Sequence, residues 1–240
     1  MSSNHALPQT HAPSDAFANI DLVIFDFDGV IVDSEVISLG EIRTTLNEFG
    51  MDAPLSQIRR AFLGAPVDRI CRTVEEWVGA PVGDQFKELW YARIFDRFRK
   101  ELKLVHGVCE LLDILDARAV SYCIASSGSV RRLQTALDAV ACGPRFQDRV
   151  FSADMVARGK PWPDIFLHAL DQMNGAKERT LIIEDSPSGI KAATAAGIPA
   201  IGFTGGAHLA SCRAEHGSLL MAEGASFCID RLSEVTEHLS

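Results

Sequence analysis

The stretch VIFDFDGVIVDSE, residues 23–35, ends an apolar run in Asp26 and Asp28 and follows them with Gly29. Two carboxylates ~4 Å apart repel by roughly 4 kcal/mol at an effective dielectric of ~20. A chain tolerates such a pair where a cation sits there or where one carboxyl keeps its proton, and both arrangements point to chemistry. A second pair, Glu184 and Asp185, closes the apolar run TLII, and a third apolar run, AVSYCIA, ends in Ser126 and Ser127. Fully ionised, the four carboxylates demand a cation. No His or Cys stands beside them in the sequence, and an all-oxygen donor set suits Mg2+, which keeps several waters and recruits phosphate oxygens. Alone, an Asp-x-Asp is an ordinary turn, and Glu-Asp before Ser-Pro is an ordinary helix cap. Their joint occurrence at the ends of buried-type strands marks a site.

Those residues must be brought together by the elements that carry them. Residues 21–27, DLVIFDF, form a continuous apolar run, as expected of a strand covered on both faces in a parallel sheet. From Glu35 to about Leu104 the pattern is helical. Val36, Leu39, Ile42, Leu46 and Phe49 lie on one stripe, and Phe86, Leu89, Trp90, Ile94 and Phe98 on another. Two shorter helices are expected between them, at LSQIRRAFLG and VDRICRTVEEWVG, and no strand candidate interrupts. After Gly107 strands and helices alternate. Strands are expected at AVSYCIASS, RVFSA, TLIIED and PAIGFTGG, and the tail ASFCIDRLSEVTEHL reads as strand then helix. This alternation predicts an α/β fold: a Rossmann-like parallel sheet with helices on both faces, plus an inserted small helical domain. In an open parallel sheet ligands bind beyond the carboxyl ends of the strands. Asp26/Asp28, Ser126/Ser127 and Glu184/Asp185 converge there if their strands are neighbours.

The bulk properties fit this reading. The chain has 240 residues, of which 47% are hydrophobic and 23% charged, enough for one large domain or two modest ones. A net charge of −9 argues against nucleic acid or an anionic membrane as a general partner. The six cysteines form no C-x-x-C pair and are expected to be buried free thiols of a reducing compartment. No apolar run reaches the ~18 residues of a membrane span. Residues 1–19 lack a basic and an apolar region of the secretory kind and read as a disordered extension, with the cytoplasm as the expected location.

The motif DFDGVIVDSE resembles the D-x-D-G-x-[LIV]-x-D-[ST]-E signature of haloacid dehalogenase-like phosphohydrolases. IASSGS is similar to their second motif, GKPWPDIF to the third and IEDSPSGIKAATAAG to the fourth. All four occur in order between residue 22 and about residue 206. The nearest subgroup is that of β-phosphoglucomutase-like proteins and sugar-phosphate phosphatases, with a helical cap between the first and second motifs. The resemblance implies a catalytic core at residues 20–35 and 105–240 and a cap at 36–104. It implies Asp26 as a nucleophile that forms an aspartyl-phosphate, Asp28 as general acid and then base, and Lys160 as the cation that neutralises nucleophile and phosphoryl oxygens. Mg2+ would be held by the carboxylates of Asp26 and Asp185, by Glu184 directly or through water, and by the main-chain carbonyl of Asp28. Ser126, with backbone N–H groups of Gly29 and Ser127, would cradle the phosphate, and Gly189 would let its helix pack closely. Arg131 and Arg132 read as a solvated helix face, and Trp162 as packing.

The departures from the family patterns narrow the reaction. Asp28 argues against the metal-free dehalogenases, which lack a second aspartate. The mutase pattern places a histidine where Ser38 stands and basic residues in a cap loop where Leu63 and Val67 stand. The phosphonatase pattern needs a cap lysine, and here none precedes Lys87. The expectation is therefore a Mg2+-dependent phosphatase of small monoesters, sugar or sugar-acid phosphates. A sugar phosphomutase is the alternative, and a phospho-ligand sensor without turnover is a more distant reading. The partner would be a small phosphorylated metabolite, and the protein a monomer or small homo-oligomer. The cap would hinge near residues 34–36 and 105–107, present its 62–69 loop to the leaving group, and offer Arg60 and Arg69 to any second anion.

Overall fold

Strand β1 (Leu22–Phe25) is buried along its whole length and lies between β2 (Ser121–Ser126) and β4 (Thr180–Glu184). The computed structural model describes residues 19–239. All of the expected N-terminal extension but Asn19 lies outside the described residues. The sheet is completed by β3 (Val150–Ser152), β5 (Ala200–Phe203) and β6 (Cys228–Ile229), in the order β3-β2-β1-β4-β5-β6 with every pairing parallel. Phe25 aligns with Ile124 on one side and Ile183 on the other, so the strands carrying the three polar tips end side by side.

The two-residue period of the strands divides the core. Val23 and Phe25 face one layer, with Leu112 and Leu115 of α5 (Val108–Ala117). Leu22 and Ile24 face the other, with Ile165 and Phe166 of α7 (Asp164–Gln172) and Ile190 and Ala193 of α8 (Pro187–Ala196). Helix α6 (Val130–Ala139) follows β2, and α9 (Arg213–Ala222) precedes β6. The helix read in the tail is instead a 3-10 stretch, Leu232–Glu237, and α9 is an element the sequence patterns did not single out.

Between β1 and β2 the chain makes four helices: α1 (Ser34–Glu48), α2 (Leu55–Phe62), α3 (Val67–Val78) and α4 (Gly83–Glu101). Phe86, Trp90, Ile94 and Phe98 are buried along α4, and Leu39, Ile42 and Leu46 along α1. Large side chains of this kind stabilise by roughly 1.5–3 kcal/mol each. Val36, expected on the α1 stripe, is exposed. Trp90 donates its indole N–H to the Ser38 carbonyl at 3.3 Å, tying α4 to α1.

All six cysteines are free, but only Cys123 and Cys142 are buried, so burial is not their common reason. Trp162 is exposed, with the Arg158 guanidinium over its ring at 4.3 Å, and is not a packing residue. Among the described residues no helix is long and apolar enough to cross a membrane.

Candidate active site

Lys160 stands at the centre of the acidic tips. Its Nζ donates to Asp26 Oδ1 at 2.5 Å and to Glu184 Oε2 at 2.7 Å, and all three residues are buried. The other oxygen of Glu184 accepts from the N–H of Asp185 (3.1 Å), the N–H of Ser186 (2.9 Å) and the Ser186 hydroxyl (2.8 Å). That hydroxyl also caps α8 by accepting from the Gly189 N–H. A Cβ at Gly189 would lie 1.9 Å from Glu184 Oε2, so only glycine lets α8 start this close to the carboxylate.

Asp26, Glu184 and Asp185 each offer an oxygen within 4.8 Å of the others. Asp185 Oδ2 is buried without a hydrogen-bond donor, and both ring nitrogens of the neighbouring His208 are likewise unsatisfied. His208 Nε2 lies 3.2 Å from that oxygen. Burial, and then the charge of Glu184, hold the Asp26 and Asp185 carboxyls well above the usual carboxylate range, although Lys160 pulls the other way. One lysine cannot neutralise the three. An oxygen-only donor set with an orphaned carboxylate oxygen fits a hard divalent cation such as Mg2+.

Asp28 belongs to a different cluster. Its Oδ1 accepts from Arg132 Nη2 at 2.6 Å and from the Ser34 hydroxyl, so its carboxylate stands apart from the three-residue acidic group. Glu35 is buried nearby, and burial together with the Asp28 charge pushes its carboxyl up to about 7. Gly29 sits at φ +83°, where a Cβ would fall 2.0 Å from Asp185 Oδ2. Its N–H is donated to the Val32 carbonyl at 2.8 Å. It therefore gives room to Asp185 and closes a turn, and the expected role of its N–H as a phosphate donor does not fit. Ser126 and Ser127 line the cleft together with Asp26, Asp28 and Lys160. The Ser126 hydroxyl is buried and accepts from the Gly128 N–H at 3.0 Å.

The facing wall comes from the helical insertion: Phe62, Leu63, Val67, Ile70 and Trp90. Arg60 and Arg69 are exposed and do not line the cleft. The cation on this side is Arg132, which the sequence reading assigned to solvent. It is 5% exposed, and its guanidinium lies 6.0 Å from the Trp90 ring and 5.6 Å from the Phe98 ring. Arg131 is the exposed neighbour, set over Phe95 at 5.0 Å. Arg132 could have been found from spacing, because it stands one turn before Ala136 on the buried face of α6. Glu35 carried a signal too, as the last residue of the DSE motif. His208 has no such mark in the sequence.

The family profile of haloacid dehalogenase-like hydrolases matches residues 23–203. The chain belongs to this family. It is 29% identical over 195 residues to the 6-phosphogluconate phosphatase of Escherichia coli, a match that covers 80% of this chain and 86% of that protein. A solved haloacid dehalogenase-like protein of unknown function from Agrobacterium tumefaciens is 33% identical with a TM-score of 0.75, covering 91% of this chain and 96% of its own. A haloacid dehalogenase family hydrolase from Deinococcus radiodurans, solved with bound phosphate and sodium, is 28% identical with a TM-score of 0.71 and covers 90% and 93%. As a member of the haloacid dehalogenase-like hydrolases, the chain is an enzyme of the hydrolase class.

Proposed function

We propose that this haloacid dehalogenase-like hydrolase is a Mg2+-dependent phosphatase of small phosphate monoesters, sugar or sugar-acid phosphates, working through a phosphorylated Asp26. The observation that carries this reading is that Asp26, after β1, and Glu184 and Asp185, at the end of the adjacent parallel β4, meet around Lys160 from the loop before α7. The name of the Escherichia coli relative supports it.

Asp26 attacks the phosphorus and takes the phosphoryl group, while the leaving oxygen receives a proton from Asp28. Asp28 then withdraws a proton from the water that cleaves the aspartyl-phosphate. Lys160 is positioned to neutralise charge at Asp26 and on the phosphoryl oxygens throughout. Ser126 and Ser127 hold the phosphate. Mg2+, when bound by Asp26, Asp185, Glu184 and the main-chain oxygen of Asp28, supplies the positive charge that a phosphoryl transfer needs. The helical insertion, residues 36–104, acts as a cap that keeps bulk water from the cleft.

A phosphomutase needs cap groups that hold a sugar phosphate in two orientations. Ser38, Leu63 and Val67 all line the cleft, and none of them is basic. Hydrolysis is the better fit. The test is phosphate release from p-nitrophenyl phosphate with Mg2+. The wild type should turn over and Asp26→Asn should not. Turnover by Asp26→Asn would remove the assigned nucleophile.

A further inference from the structure

Among the described residues, two cations line the cleft, Lys160 and Arg132. Lys160 is engaged at the floor by two carboxylates. Arg132 stands on the side of Asp28 and the insertion. One of its N–H groups is used by Asp28, and its Nε is buried without a partner. A buried guanidinium with an unpaired N–H is costly, and an acceptor that reached it from the cleft would remove the deficit.

Trp90 and Phe98 of α4 flank this fork, their ring centres 6.0 and 5.6 Å from the guanidinium carbon, and the side chain is 6% exposed, so it keeps little water of its own. Asp28 neutralises it in the substrate-free protein. In the reaction Asp28 must serve the leaving oxygen, and turning there withdraws charge from Arg132. With a substrate hydroxyl in its place, the buried guanidinium would keep only the neighbouring Glu35 as counter-charge. A carboxylate would replace Asp28 and accept two parallel N–H bonds, the geometry that suits arginine best.

We infer that Arg132 is a specificity residue, which takes a carboxylate on the leaving group, so that the preferred substrates are phosphate monoesters of hydroxy or sugar acids. The exchange of Asp28 for the substrate rests on the phosphatase reading, whereas the affinity for a carboxylate is measurable without turnover. Calorimetry with the Asp26→Asn protein compares 6-phosphogluconate with glucitol 6-phosphate, which differ by a carboxylate against a hydroxymethyl group. The expected result is at least fivefold tighter binding of the acid. Adding Arg132→Met should cut that preference at least threefold, and Arg132→Gln should do the same if the methionine variant does not fold. A smaller preference in the parent, or one that survives loss of the arginine, overturns the inference. Turnover of p-nitrophenyl phosphate by the wild type tests the phosphatase reading separately, because that ester has no carboxylate.

Discussion

Lys160 reaches Asp26 from 134 residues away and places its Nζ 2.5 Å from Oδ1. Burial works against the charged ammonium, but Asp26 and Glu184 outweigh it and hold the lysine protonated well above its ordinary range. The pair joins the proposed nucleophile to a permanent positive charge.

Removing that charge should be felt in the chemical step. Lys160→Met is expected to lower kcat for p-nitrophenyl phosphate by about 10²–10³-fold, the usual scale for one preorganised electrostatic group. Lys160→Arg should recover little, because a planar fork does not fit where Nζ contacts two carboxylates at 2.5 and 2.7 Å. Activity of Lys160→Met within tenfold of wild type would contradict the role assigned to the lysine.

The start of α8 offers a steric test. Gly189→Ala puts a methyl where Glu184 Oε2 lies 1.9 Å away, so the helix or the carboxylate must move. Overpacking of this kind costs about 1–3 kcal/mol. Urea denaturation should show a loss in that range, together with weaker Mg2+ binding. An unchanged midpoint would mean that α8 is looser than the contact implies.

Glu35 gives a pH signature. Burial, and then the charge of Asp28, push its carboxyl up to about 7 in the folded chain. The folded state therefore keeps a proton that the unfolded state has already lost above pH ~4.3, and stability falls as pH rises between those two values. Glu35→Gln removes this dependence. The loss of unfolding free energy between pH 4.5 and 7.5 should be smaller in the variant by roughly 3 kcal/mol. Equal slopes in the two proteins would contradict the burial assigned to Glu35.

The acidic group should also report on Mg2+ directly. Burial and mutual repulsion keep Asp26 and Asp185 protonated more readily than ordinary carboxylates, so a cation must displace protons to bind. Mg2+ at about 100 times its Kd should stabilise the fold by about 2.7 kcal/mol, and by less as pH is lowered. Chelation should reverse the gain and Asp185→Asn should abolish it, both read by thermal denaturation. A Mg2+ effect that persists in Asp185→Asn would place the ion elsewhere.

Much of this molecule was legible in local patterns. Apolar runs of four to six residues marked β1, β2 and β4, and the helical stripes marked α1 and α4, because both are set by the period at which side chains meet one core. The polar ends of those runs were legible as well, since a parallel strand reserves its carboxyl end for ligands. The tail strand at Cys228–Ile229 was legible too, but the turns after it form a 3-10 stretch where a helix was read, and α9 carries only two buried side chains, His216 and Leu220, too few to show a stripe.

The sequence by itself determined which residues have the chemistry of this site: the carboxylates, the lysine and the hydroxyls at strand ends. Only the tertiary structure decided how they divide. Packing of α4 on α6 took Arg132 out of water and turned it onto Asp28. The turn after β1 committed the Gly29 N–H to Val32, and the loop after β5 set His208 beside Asp185. The physical reason is that charge and hydrogen-bonding capacity belong to a residue type. Burial and partnership belong to contacts between segments far apart in the chain, and no local period encodes them.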